Sequence, residues 1–177
     1  MAKWEHERPK LLLDNPEGLK YEYIMTFLGY APSTPEEQEQ CYQIFGDTPN
    51  GFQMVGRSPG GFIEGPKIRG IVHEGADWMT IRNTDGVVSV NCRNTLKTDD
   101  GEMILMEYQG YIHGPNDFVN RWLYKGEMLD PSEYYFRTAV FFTAKVDGNY
   151  NWLNKLVCIG VGKTDSRGGY YDIYAIK

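Results

Sequence analysis

Residues 87–113 read VVSVNCRNTLKT, then DDG, then EMILMEYQGYIH. The two long runs alternate side chains with a period of two, the repeat of a β-strand and not of a helix. Val88, Val90, Cys92, Met106, Tyr108 and Ile112 fall on one face, and Ser89, Asn91, Arg93, Glu107, Gln109 and Tyr111 on the other. Asp99-Asp100-Gly101 has the composition of a three-residue hairpin loop, with glycine at the left-handed position of a bulge turn. The stretch therefore predicts an antiparallel hairpin.

The same reading extends in both directions. Strands are expected at 20–30, 52–57, 62–73, 77–83, 134–145, 155–163 and 170–176, besides 87–98 and 102–113. Thr84-Asp85-Gly86, Asp147-Gly148-Asn149 and Arg167-Gly168-Gly169 supply further turns. Thr34-Pro35-Glu36-Glu37 is a helix start with a capping box, and predicts a helix to about Phe45 ended by Gly46. Residues 114–133 interrupt the strands and predict a short helix from Asp117 to Tyr124. Residues 1–19, with Pro9 and Pro16, read as an arm, leaving 20–177 as a single domain. Nine strands joined mainly by hairpins leave two exposed edges unless the sheet closes. The expected fold is all-β, an antiparallel closed or nearly closed barrel with one or two short helices; a two-sheet sandwich is the alternative.

Composition narrows the function classes. The chain has 177 residues, 41% hydrophobic and 14% aromatic, enough for one packed core. A net charge of −6 without a basic stripe argues against nucleic acid as a partner. Leu11-Leu12-Leu13 is broken at once by Asp14, so neither a signal core nor a spanning helix is expected, and no membrane partner. Cys41, Cys92 and Cys158 are widely spaced and odd in number, as expected of reduced core thiols in a cytoplasmic protein. His6, His73 and His113 lack metal-ligand spacing, so no metal is expected. Phosphate-cradling, dinucleotide and nucleophile-elbow motifs are missing, so no cofactor is expected either. Apolar strand faces larger than one small helix covers favour a homodimer.

Turn length suggests where ionisable side chains meet. If both Thr84-Asp85-Gly86 and Asp99-Asp100-Gly101 are three-residue loops, Asp77 lies opposite Arg93, and Arg93 opposite Glu107. Cβ atoms about 4.5–5.5 Å apart would let the guanidinium reach both carboxylates. A change of one residue in either loop breaks the row. Facing solvent, the row is a surface ladder; facing inward, it could move protons, with one carboxylate pKa raised. Tyr135 and Arg137 share a polar face in the same way.

Several segments together carry a resemblance. They are Gly61-Phe62-Ile63-Glu64-Gly65-Pro66-Lys67-Ile68-Arg69-Gly70, Gly75-Ala76-Asp77-Trp78, Arg93-Asn94-Thr95-Leu96, Tyr135-Phe136-Arg137-Thr138, Trp152-Leu153-Asn154 and Gly160-Val161-Gly162. In this order, over residues 20–177, they resemble a widespread family catalogued as a domain of unknown function with a lipocalin-like antiparallel barrel. The resemblance implies the barrel and a central pocket, and a few members are associated with microbial and fungal secondary metabolism. Its matching positions are Glu64, Asp77, Trp78, Arg93, Tyr135, Arg137, Trp152 and Asn154. Asn91 and Asn94 stand where relatives usually carry Asp and Tyr, which leaves Asp77 and Glu107 as the nearer carboxylates.

The expected function is proton transfer, of isomerase, dehydratase or cyclase type, on a hydrophobic polyketide- or terpenoid-like molecule. Asp77 or Glu107 would carry the proton, Arg93 and Arg137 would stabilise developing negative charge, and Tyr135 would act as an acid. Glu64, His73, Trp78, Tyr108, Trp152 and Asn154 would bind the substrate. The alternative is a barrel that binds or carries a lipophilic molecule without changing it.

Overall fold

The computed structural model describes residues 18–115, 117–165 and 167–177; most of the expected arm, residues 1–17, lies outside them. Among the described residues ten strands follow one another: β1 Tyr21–Tyr30, β2 Tyr42–Thr48, β3 Gly51–Arg57, β4 Gly61–Gly65, β5 Ile68–Ile81, β6 Val88–Thr98, β7 Met103–His113, β8 Tyr135–Ala144, β9 Cys158–Asp165 and β10 Gly168–Ile176. Eight of them close a ring in the order β5-β4-β1-β10-β9-β8-β7-β6 and back to β5, with every pairing antiparallel. The expected closed barrel is the observed fold. The β2–β3 hairpin extends it: β3 pairs with the second half of β5 and β4 with the first half. Among the described residues, no helix is long and apolar enough to cross a membrane.

Three local expectations are corrected. The helix that starts at Thr34, whose Oγ1 accepts the Glu37 N–H at 3.2 Å, runs only over Pro35–Cys41 (α1). Tyr42 to Thr48 leave it to pair with β3, because aromatic and β-branched side chains fit a pleated surface better than a helix. The strands expected at 62–73 and 77–83 are divided differently. Pro66 and Lys67 form a two-residue turn, with Gly65 facing Ile68, since proline has no N–H for the ladder. Residues 74–76 are no loop; they pair with Thr95, Asn94 and Arg93, so β5 runs unbroken to Ile81. The expected short helix near 117–124 is a π-helical turn at Asn120–Tyr124.

The end of the barrel near Tyr21 and Ile176 is filled. Met25, Leu96, Met106, Leu153, Cys158 and Ile173 have no measurable exposure. Leu153 is delivered by a 3-10 turn, Asn151–Lys155. The turn is pinned by Asn154, whose Oδ1 accepts the Ala144 N–H at 2.7 Å while its Nδ2 donates to the Ala144 carbonyl at 3.0 Å. Truncating Leu96 to Ala should cost about 3–5 kcal/mol, the range for leucines that leave a cavity behind. Urea unfolding monitored by tryptophan fluorescence measures it, and a loss below about 1 kcal/mol would show that this end is loosely packed.

Candidate functional site

Above the filled end the lumen opens into a cavity of about 620 Å³, within the size range of small-molecule sites. Its inner wall is set by two local features of β5. The first is a β-bulge between Val72 and Glu74, where the register against β6 slips by one residue. Gly70 and Val72 are buried in the core; with strict alternation Trp78 would follow them inward. The extra residue, His73, reverses the parity, so Asp77, Met79 and Ile81 point inward and Trp78 and Thr80 point out. The second feature is the β5–β6 loop. Arg82 N–H donates to Val87 O at 3.0 Å, so the loop is four residues, Asn83 to Gly86, and not three. Asp77 therefore lies opposite Cys92, not Arg93.

The expected row is thus half realised. The β6–β7 loop does have three residues: Thr98 N–H donates to Glu102 O at 3.0 Å, with Gly101 at φ 91°. Arg93 duly lies opposite Glu107, and its Nε donates to Glu107 Oε1 at 2.7 Å. But this pair faces solvent, the arginine side chain being 65% exposed, and Asp77 has moved to the other face. Exposed pairs of this kind contribute about 0–1 kcal/mol. Arg93→Ala should accordingly change unfolding free energy by less than about 1 kcal/mol and leave small-molecule binding unaffected; a large loss of either would return the pair to the site.

Other expected site residues also lie outside the cavity. Tyr135 stacks on His113 (centroids 4.8 Å apart), with the Arg137 guanidinium 5.2 Å from its ring, on the outer surface. Glu64 is exposed and ion-paired to Arg69 at 2.9 Å. His73 is exposed at the bulge, and Trp78 is half-exposed on the outer wall. Trp152 and Asn154 belong to the turn that plugs the filled end. Along β7, the four residue steps from Ile104, which pairs with Ala144, to Tyr108 at the cavity span about 13 Å. For the strand residues Glu64, Trp78, Tyr135 and Arg137 the reason is shared: inward positions of a barrel alternate with outward ones, and one slip inverts a whole strand.

The structure brings together Asp77, Cys92, Asn94, Tyr108 and Tyr171, all lining the cavity. Asp77 Oδ1 accepts the backbone N–H of Asn91 at 2.9 Å. Burial pushes its carboxyl up to about 7, and that one hydrogen bond only partly opposes the effect. Cys92 pairs with Tyr108 across β6–β7, and its sulfur accepts from Asn94 Nδ2 at 3.2 Å. Burial, with the Asp77 charge in addition, pushes the Cys92 thiol up to about 12, so it is no nucleophile at neutral pH. Tyr108 and Tyr171 lie 4.8 Å apart at their ring centroids, and Phe27 packs edge-on to both. Burial holds both phenols well above their usual range, with Asp77 among the nearby charges. They remain protonated donors.

Asn94 reaches its place because residue 75 is glycine: a Cβ there would stand 1.9 Å from Asn94 Oδ1. Sequence reasoning nominated Asp77 and Tyr108 but missed Cys92, Asn94 and Tyr171. One signal was available, since Asn94 is an amide within the inward series Val88, Val90, Cys92, Leu96. Among the described residues, no cluster of His, Cys, Asp and Glu is placed to hold a metal ion.

Comparison with known proteins agrees with this architecture. A UPF0311 protein of Rhodopseudomonas palustris is 30% identical over 116 residues, 65% of this chain and 74% of the relative. A crystal structure of a protein of unknown function from the same organism aligns with a TM-score of 0.77 at 25% identity, over 90% of this chain and 98% of the other. A β-barrel-like protein from Acinetobacter baumannii aligns with a TM-score of 0.72 at 28% identity, over 92% and 99% of the two chains. A structure described as an enzyme from Penicillium herquei shares the fold at 19% identity, with a TM-score of 0.64 over 93% and 98% of the chains. The family model described as "Protein of unknown function (DUF3237)" matches residues 35–176. With that match spanning most of the barrel, the chain belongs to the DUF3237 family of proteins of unknown function.

Proposed function

We propose that this protein is an acid–base catalyst working without a cofactor, of isomerase, dehydratase or cyclase type, on a hydrophobic molecule of polyketide or terpenoid kind held in the barrel. The observation that carries the reading is Asp77: a carboxyl group on the wall of a largely apolar cavity, with a pKa of about 7. A group half ionised at neutral pH is the best compromise between being in the right protonation state and having the strength to move a proton. The Asp77 carboxylate would take a proton from carbon next to a substrate carbonyl and return it at a second position. Tyr108 and Tyr171, kept protonated by burial, are suited to donate hydrogen bonds to the enolate oxygen that forms. Phe27, Phe52 and Trp122 offer apolar surface to the rest of the molecule. Arg93, Glu107, Tyr135 and Arg137 have no part in this version of the chemistry.

The test is proton exchange. Phenolic and polycyclic ketones are incubated with the protein in D2O, and deuterium at the α-carbon is followed by NMR. Exchange catalysed by the native chain and lost in Asp77→Asn supports the reading. A ketone that binds tightly yet shows no catalysed exchange identifies a carrier instead.

A further inference from the structure

Among the described residues, four charged ones line the cavity: Arg57, Asp77, Glu127 and Asp165. Two of them are neutralised locally. Glu127 accepts from Arg121 Nε at 2.8 Å, and Asp165 from Arg167 Nη2 at 2.8 Å; the Arg167 guanidinium holds the Asp165 carboxyl down at about 2. Arg57 differs. The described residues include seven arginines, at 57, 69, 82, 93, 121, 137 and 167. Arg69, Arg82, Arg93, Arg121 and Arg167 each pair with a carboxylate. Arg137 donates to the Phe136 carbonyl at 2.8 Å and lies over the Tyr135 ring. Among the described residues, the Arg57 side chain alone of these seven makes no hydrogen bond, ion pair or ring contact.

Its position is specific. Arg57 is the last residue of β3, opposite Ala76, one step from the Gly56–Asp77 pair. It is exposed and so stands at the mouth, whereas Asp77 stands inside. In a chain of net charge −6, a cation left unneutralised at a cavity entrance is a ready partner for an anion. The interior is the opposite. Beside Asp77 the described residues offer a thiol, an amide and two phenols there, and no cation, so an anionic group would be repelled and a neutral carbonyl or phenol accepted.

We propose that Arg57 is the anchor for a carboxylate on the substrate, so that the site takes an acid with an apolar body whose carboxylate stays at the mouth while its neutral oxygen end reaches Asp77. A guanidinium presents two parallel N–H donors that match a carboxylate, which fixes the orientation of the bound molecule as well as its affinity. This assignment rests on the lumenal reading of the site above, but not on catalysis.

Isothermal titration calorimetry with 2-naphthoate and its neutral isostere 2-naphthamide, on the full chain, tests it. The native protein should bind the acid about 10- to 100-fold more tightly than the amide, the difference expected for a charge-assisted pair. Arg57→Gln should bring the ratio to about 1 by weakening the acid alone, and Arg57→Lys should keep part of the preference. Raising the salt concentration should weaken the acid more than the amide. The anchor is overturned if the native protein does not prefer the acid, if neither probe binds, or if Arg57→Gln keeps the preference. Each of these leaves the deuterium-exchange result intact, so the failure of the anchor and the failure of the catalytic reading are told apart.

Discussion

Asp77→Asn should lower the rate of proton exchange by about 10²–10⁴-fold, the usual contribution of a positioned acid or base, while binding of the neutral naphthamide changes little. The amide keeps the size of the carboxyl group and can still accept the Asn91 N–H, so the wall of the cavity stays in place. If Asp77 acts as the base, the native rate should climb with pH and level off above about 7, the value burial imposes on it; if it acts as the acid, the rate should fall over the same range. The variant should show neither limb. An unchanged rate in a folded Asp77→Asn protein removes the proposed function.

The same carboxyl should leave a mark on stability. Its folded pKa, about 7, lies above the ordinary value of 3.8. Below about pH 4 the group is protonated in both states and contributes no pH dependence. Between about 4 and 7 the unfolded chain loses the proton first, so stability falls as pH rises, and above 7 the loss is complete. Over that interval Asp77→Asn should gain on the native protein, by at most about 4 kcal/mol, and less where cavity water screens the charge. Thermal unfolding of both proteins at pH 4 and pH 8 measures the difference. A residue that costs stability above neutrality yet sits in a cavity wall is the pattern of a functional group, not a packing one.

Deletion of His73 should have the largest effect on the fold. Removing the bulged residue restores strict alternation in β5, so that the strand beyond it can keep its pairing with β6 only by turning over. Trp78 and Thr80 would then point into the lumen, and Asp77, Met79 and Ile81 out of it. The imidazole is exposed, so His73→Ala should be almost neutral, within about 0.5 kcal/mol. The deletion should abolish cooperative unfolding or lower the melting temperature by more than about 10 °C, corresponding to some 3–5 kcal/mol at about 2–4 °C per kcal/mol for a chain of this size. Circular dichroism melts of the two variants decide it. A deletion variant that melts like the native protein would mean that the bulge does not govern which side chains face the cavity.

How much of this was legible beforehand differs from element to element. The 87–113 hairpin was readable in full, because its alternation is regular and Gly101 at φ 91° is the residue its loop demands. Arg93 opposite Glu107 followed from counting alone. The β4–β5 turn at Pro66 was readable in principle, since proline cannot serve a central ladder, but an apolar run on both sides disguised it. The helix beyond Cys41 was overridden by pairing with β3, a contact between segments that no local pattern carries.

By itself, the sequence determined the class of fold, the capped start of α1, one strand register, and the presence of Asp77 and Tyr108 among the chemically capable residues. Periodicity and turn chemistry are local, and local forces suffice for such features. Only the tertiary structure decided which face of β5 meets the lumen, and with it that Asp77 joins Cys92, Asn94, Tyr108 and Tyr171 while Arg93 and Glu107 face water. That choice rests on one bulged residue and one extra loop residue. Each shifts a strand of period two by a single step, and a single step exchanges inside for outside.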